Sequence, residues 1–379
     1  MKILLVGEYN ASHFTLKEGL VHLGHEVTVV GLGDGFKNRK VDVNFKKPYV
    51  TGAKEFFKRV IYKLFQVDLN SKSIKKQFYA HQELFKGNDI VQFINENSFG
   101  TVPEVEQELL EFIFTHNKKC FLLSCGTDHL SVKYAMEGGF DYSIATPYLE
   151  KRGTEADFLH MTQYIRPDFK ALHQYIFKNI EGVIASDLDY HIPLVGHPKY
   201  IGMVPNPVNL SKFEYKAPFI EDRVVIFHGI HNNNYYKKGN DIFEEALEIV
   251  HKTHSDKIEV VTVRSVPYAE YIRLFDNCHI LLDQVFAYDQ GFNALEAMAK
   301  GKVVFTGAEK EFLDYYDLQE DEVAINALPN AQAIADKLIW LVDHPTKILE
   351  IAQNARAFVE KEHDHVLAAK RYFEKWMGV

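Results

Sequence analysis

The chain has 379 residues, 46% hydrophobic and 25% charged, with a net charge of −9. The length points to two domains with ample core, and the acidic balance argues against nucleic acid as a partner of the whole chain. The three cysteines, Cys120, Cys125 and Cys278, have no paired spacing, so neither a disulfide frame nor a zinc site is expected and a reducing compartment is favoured. The opening run MKILLVGEYN is too short an apolar stretch for a signal peptide, and no window is long enough to span a bilayer, so a cytoplasmic location is expected.

Residues 2–6 read as a buried strand, Gly7 opens the loop GEYNASHF, a helix covers 15–23 and a second strand 27–30. Strand, glycine loop, helix and strand begin a Rossmann-like half, but the full G-x-G-x-x-G is missing and a bound dinucleotide is not expected. Between Phe36 and Phe78 there are 12 basic and 3 acidic residues, roughly +9 in a chain that is otherwise about −18. Within that segment residues 52–66 predict a basic amphipathic helix. Phe56, Phe57, Val60, Ile61, Leu64 and Phe65 share one face, and Lys54, Lys58, Arg59 and Lys63 flank it. Such a face meets either the protein core or a membrane surface.

A strand at 89–94 ends in NENSFG, a helix follows over 103–116, and the strand 120–124 ends in CGTDH. Strand carboxyl ends face the ligand crevice in open α/β sheets, which places Asn95, Glu96, Asn97, Gly126, Thr127 and Asp128 at a cleft. Cys125 has no histidine at a telling spacing, so a nucleophilic role is not expected. After the strand 182–186, Asp187 and Asp189 read as caps of the next helix rather than as a metal pair. His363 and His365 read as exposed helix residues rather than metal ligands. The pattern breaks at 204–213, VPNPVNLSKF, the expected domain boundary.

The second half repeats the alternation. A strand at 224–227 leads into HGIHNNNYYKKGND and a helix at 242–251, and a strand at 258–263 into RSVPYAEYIRLF. The stretch 279–307, HILLDQVFAYDQGFNALEAMAKGKVVFTG, is a strand–loop–helix–strand unit. Its first strand, 280–282, ends on Asp283 and Gln284. Gly291 breaks the loop, Asn293 is placed to cap the helix, Gly301 stops it, and 303–306 is the next strand. The uncompensated N–H groups at that helix start favour an anion, and Gly291 allows close approach, so a diphosphate fits there. Glu296, one turn in, either accepts the two hydroxyls of a ribose or closes a capping box with Asn293. Helices at 331–342, 348–360 and 366–376 complete the chain.

This stretch resembles the nucleotide-sugar signature of the GT-B-fold glycosyltransferases of the family 4 type, in which two glutamates eight positions apart precede an EAMA-G-PVV run. LEAMAKGKVVFTG matches it. Glu296 falls on the second glutamate, which in the family holds the ribose, and the first falls on Tyr288, with Asp289 one place off. A subset of the family reads DQ, a short loop, G and LEAMA-GK, which Asp283, Gln284, Gly291 and Glu296 follow closely, with Phe292 and Asn293 at the helix start. Lys238 falls on the family lysine that meets the diphosphate. The family arginine after Gly229 falls on Ile230, leaving His231 or Lys237 to supply charge. Val266 and Pro267 lie where the family reads the base. The segment 204–213 is similar to the PNG-V-D hinge, with Pro207 for Gly and Asn209 for Asp. The first loop, with Gly7, Asn10 and Ser12, corresponds to the wall between donor and acceptor. CGTDH corresponds to a His-Gly-Ser-Asp-like segment, with Cys125 on the histidine whose main chain meets the donor sugar.

The resemblance implies an α/β GT-B fold of two Rossmann-like α/β/α domains facing a cleft. An acceptor-side domain covers 1–203, a donor domain 204–362, and a last helix, 363–379, crosses back. It implies transfer of a sugar from a UDP- or GDP-linked donor to a hydroxyl of a glycan or lipid-linked acceptor in polysaccharide or glycolipid assembly. Retention at the anomeric carbon and no metal cofactor go with it, with Lys238, Glu296 and Asp128 as catalytic candidates. The alternatives are a module of this fold that binds a nucleotide sugar without turnover, motivated by Tyr288 and Ile230, and a sugar-nucleotide epimerase. A basic segment over 36–78 at an anionic membrane would place the chain on the inner face of the membrane.

Overall fold

A computed structural model describes residues 1–33 and 41–378. Residues 36–40 of the basic segment therefore lie outside the described residues. The N-terminal sheet contains β1 (Lys2–Val6), β2 (Glu26–Gly31), β3 (Val43–Asn44), β4 (Ile90–Phe93), β5 (Cys120–Ser124), β6 (Gly182–Ala185) and β7 (Tyr200–Met203). Its order is β3-β2-β1-β4-β5-β6-β7, and every pairing is parallel. The second sheet contains β8 (Val224–Ile230), β9 (Ile258–Arg264), β10 (Ile280–Leu282), β11 (Val303–Thr306) and β12 (Ile325–Asn326), in the order β12-β11-β10-β8-β9, again all parallel.

The strand sequences explain this architecture. A parallel sheet is covered on both faces by its crossover helices, so central strands read as unbroken apolar runs. KILLV, IVQF, CFLLS and GVIA in the first sheet and ILL and VVFT in the second are buried along almost their whole length. β9, IEVVTVR, is the edge of its sheet and leaves much of its length exposed. The two-residue strands β3 and β12 have no such run and take their conformation from their neighbours.

The chain leaves the first sheet after β7, and its return is tied to that exit. Val208 N donates to His363 O at 2.7 Å and His365 N to Val208 O at 3.1 Å. The helix His365–Met377 then packs Ala368, Ala369, Tyr372 and Trp376 against Ile3, Leu5, Leu16 and Leu20 of the N-terminal domain. The helix Ser12–His22 approaches it so closely that a Cβ on Gly19 would stand 2.1 Å from His365 O. Trp376 Nε1 donates to Gln92 Oε1 at 3.0 Å, which satisfies both groups inside the core.

His363 is not the exposed helix residue that EHDHV predicts. It lies between two helices, 3% exposed, and Nδ1 donates to Asn206 O at 2.9 Å. Burial pulls its imidazole down to about 4, so it is a neutral brace at the crossing. The predicted helix at 52–66 is present as Gly52–Phe65, but none of its residues is buried. The core-facing alternative is thereby removed.

Candidate functional site

The carboxyl ends of the two sheets face each other across a cavity of about 520 Å³. Its C-terminal wall is built by three connections. β8 runs into HGIHNNNYYKKG, and the helix Asn240–His254 begins at Gly239, whose φ is +69°. A Cβ there would lie 2.7 Å from Val285, so glycine is required where the β8 and β10 connections touch. This contact carries Lys238 over the end of β10, where its Nζ donates to Asp283 Oδ1 at 2.7 Å. Asn293 Nδ2 donates to the same oxygen at 2.9 Å, and Tyr271 OH donates to Asn293 Oδ1 at 3.2 Å. Asp283 Oδ2 is buried with no hydrogen-bond partner among the described residues.

The helix Phe292–Ala299 has Gly291 at its N-cap and no side-chain capping bond. Asn293 therefore lies inside the first turn and turns its amide to Asp283, so the predicted Asn293 cap and its capping box with Glu296 are not formed. Gly291, Phe292 and Asn293 all line the cavity, which puts the first-turn N–H groups at its edge. Gly229, His231, Val266 and Lys238 line it as predicted. Pro267 does not; it is exposed and stands at the N-cap of the helix Tyr268–Phe275.

Tyr288 is displaced from its predicted place. Its ring packs on Phe140 and Tyr142, and its hydroxyl accepts from Asp141 N at 3.0 Å, away from the cavity. Asp289, one position on, faces the cavity instead. Glu296 is 8% exposed and does not line the main cavity. It borders a separate narrow pocket with Pro207, Asn209 and Lys212, and Phe292 stands between the two spaces and lines both.

On the N-terminal wall Asn10, Cys125 and Gly126 line the cavity, and several predicted residues form the layer that supports them. Asn95 Nδ2 donates to Cys125 O and Thr127 O at 2.7 and 2.6 Å, and Asn97 N donates to Asn95 Oδ1. Glu96 accepts from His173 Nδ1 and from His129 N. Thr127 Oγ1 donates to His160 O. Asp128 caps the helix His129–Met136 by accepting from Ser131 N at 2.8 Å and also accepts from Ser124 Oγ, so it braces the loop rather than facing substrate space. Gly7 lies against Ile94, and Ser12 is buried in its helix; neither reaches the cavity. Burial, with Asp187 nearby, pushes the Cys125 thiol up to about 12, which keeps it protonated.

Asp187 and Asp189, which the sequence assigns to helix capping, have a different place. Asp187 and Asp189 line the cavity, and neither makes a side-chain capping bond to the helix Leu188–Leu194. Both oxygens of Asp189 lie 3.2 Å from Tyr288 N, across the domain junction. Asp289 returns the contact, accepting from Leu188 N at 3.3 Å as well as from Gln290 N at 2.6 Å. Burial and the nearby Asp289 raise Asp189 to about 7, burial raises Asp289 to about 6, and burial with Asp189 beside it lifts Asp187 well above the usual carboxylate range. Lys237 also lines the cavity, and burial with Lys238 beside it lowers its ammonium to about 8. The KK pair before glycine and the D-x-D after a strand were the available signals, and only their spatial convergence shows their use. Among the described residues no group of three His, Cys, Asp or Glu is arranged to hold a metal ion.

Residues 234–374 match the family described as Glycosyl transferase-like. Among solved structures, the chain is similar to sucrose-phosphate synthase of Thermosynechococcus elongatus, at a TM-score of 0.63 and 14% identity over 100% of this chain and 99% of that one. It is also similar to Anabaena HepE in complex with UDP and glucose, at a TM-score of 0.57 and 12% identity over the whole of both chains. A protein assigned as a UDP-N-acetylglucosamine 2-epimerase in Listeria monocytogenes aligns at a TM-score of 0.51 and 12% identity over 98% of this chain and 95% of that one. No curated protein sequence matches. At these identities the likenesses establish the GT-B architecture.

Proposed function

We propose that this chain is a glycosyltransferase that moves a sugar from a nucleotide diphosphate sugar to a hydroxyl acceptor. The observation that carries the reading is the convergence of Lys238 with the uncapped first turn of Phe292–Ala299 at one cavity. Negative charge grows on the diphosphate as the glycosidic bond breaks. Helix N–H groups and an adjacent ammonium meet that charge without reorganisation. Lys237 supplies a second cation where the family arginine is replaced by Ile230. The carboxylate of Asp283 holds Lys238 in place before substrate arrives. UDP is the favoured nucleotide, since HepE is in complex with UDP and with UDP-glucose.

The finer reading is retention without a metal cofactor, in polysaccharide or glycolipid assembly in the cytoplasm. Retention requires attack from the face that the diphosphate leaves, so the acceptor enters between the N-terminal wall and the helix end. Binding of the ribose by Glu296 belongs to this reading and requires Phe292 to swing aside, joining the narrow pocket to the main cavity. Calorimetry with UDP, followed by donor hydrolysis and transfer assays over a panel of nucleotide sugars, tests the proposal. Absence of UDP and GDP binding would refute it.

A second reading, sugar-nucleotide epimerisation, draws on Asp189 and Asp289. Two buried carboxyls raised toward neutrality on opposite walls are suited to exchanging protons with a sugar. Conversion of a free UDP-sugar to its epimer with no acceptor present would select it. Binding with neither outcome would select the module without turnover.

A further inference from the structure

We propose that the helix Gly52–Phe65 is a docking element that seats this chain on an anionic lipid bilayer. A helix of 14 residues with none of them buried gains little from the fold, and isolated helices of that length are marginal in water. Its apolar side chains are the kind a fold would normally cover: Phe56 is 70% exposed, Leu64 67%, Phe65 65% and Phe57 53%. At 100° per residue, Phe56, Val60, Leu64, Phe57, Ile61 and Phe65 sweep about half of the circumference. Lys63 borders that half on one side and Lys58 on the other, and Lys54 lies just inside the second margin, beside Phe65.

This arrangement selects the occupant. The core of a protein–protein interface is depleted of lysine. A helix lying in the headgroup plane of an anionic membrane combines an apolar half with lysines at its margins, whose stems reach back to the phosphates. The helix carries four basic residues and one acid, Glu55, which already pairs with Arg59. Lys72 and Lys76 add exposed positive charge on the following helix, Leu69–Ala80. In a chain of net charge −9 this is the part that an anionic surface attracts.

The position of the helix gives the docking a use. Lys47 Nζ donates to Gly100 O on the loop after β4, at the carboxyl ends of the N-terminal strands. Lys58 is close enough to act on the charge of Lys47, and Tyr62 on that of Arg166. A bilayer that holds this helix therefore lies at the cleft edge of the N-terminal domain. If the glycosyltransferase reading holds, on which this one clause rests, the acceptor is drawn from the membrane.

Vesicle flotation, with no sugar nucleotide added, tests the docking by itself. The parent protein should float with phosphatidylglycerol-containing vesicles at about 50 mM salt, stay down with pure phosphatidylcholine, and float less at about 500 mM. Phe57→Ser combined with Phe65→Ser, and separately Lys54→Glu with Lys58→Glu and Lys63→Glu, should each reduce the floated fraction at least about tenfold. Both variants should keep the parent melting temperature, because none of the altered side chains is buried. A parent that stays down with anionic vesicles at low salt overturns the proposal. So does a parent that floats no better than both sets of variants, or a chain that forms a dimer through this helix which the serine variants dissolve.

Discussion

On the C-terminal wall of the cavity Lys238, Asp283, Asn293 and Tyr271 hold one another within a single domain. On the N-terminal wall Asp189 takes its backbone donor from Tyr288 of the other domain, and Asp289 answers from the C-terminal side by accepting from Leu188. The contacts of the first group lie within one domain, whereas those of Asp189 and Asp289 join the two. A ligand that needs only the C-terminal wall should bind an open molecule. Chemistry that needs both walls should depend on closure, and with it on the protonation of the carboxyls at the junction.

The largest effect expected from breaking this division is on Lys238. Lys238→Ala should lower turnover about 100-fold or more while weakening binding of the intact sugar-nucleotide donor far less, because it meets charge that develops as the bond breaks. Steady-state kinetics beside calorimetry separates the two, and unchanged turnover would take Lys238 out of the chemistry.

Glu296→Ala should cost about 1.5–3 kcal/mol of UDP affinity if its carboxylate accepts ribose hydroxyls. Calorimetry with UDP and with 2′-deoxy-UDP checks this, since the variant should lose its preference between them. Equal affinity in variant and parent would leave Glu296 as a residue of the narrow pocket alone.

A smaller effect concerns the junction and sharpens the contrast between the walls. Asp189 is raised to about 7 and Asp289 to about 6, against about 3.9 in an unfolded chain. The folded form therefore holds extra protons between about pH 4 and 7 and loses stability as pH rises through that window. Asp189→Asn should flatten the fall in melting temperature across it, with a ceiling of about 1.4 kcal/mol per unit of displaced pKa. The same substitution should leave UDP affinity nearly constant, because that ligand rests on the other wall. A pH profile identical to the parent's would remove the junction carboxyls from the account of closure.

The smallest expected effect is none. Adding EDTA should leave transfer intact, since the diphosphate is met by lysines and helix N–H groups. A loss restored by magnesium or manganese would transfer that task to a metal ion.

The sequence by itself determined the parallel α/β architecture and the strand–loop–helix unit that builds the C-terminal wall of the cavity. Unbroken apolar strands specify sheets buried on both faces, and a glycine before an ALEAMA helix specifies an anion-accepting turn; both are local properties that spacing preserves. It also marked Lys238 and Asp283, which lie on the connections that follow the adjacent strands β8 and β10, and the helix at 52–65, whose periodicity is local. The tertiary structure alone decided which way each loop residue points. Tyr288 turns to Phe140 and Asp289 to the cavity, a choice made by aromatic packing from a segment about 150 positions away. Asp128, Glu96 and Asn95 sit at strand ends as expected, yet are consumed by loop braces whose partners are remote in sequence. Asp187 and Asp189 read as helix caps until the second domain supplies Tyr288 N. A carboxylate's surroundings are set by what folds over it, and no spacing within one strand–loop–helix unit encodes a neighbour from the other domain.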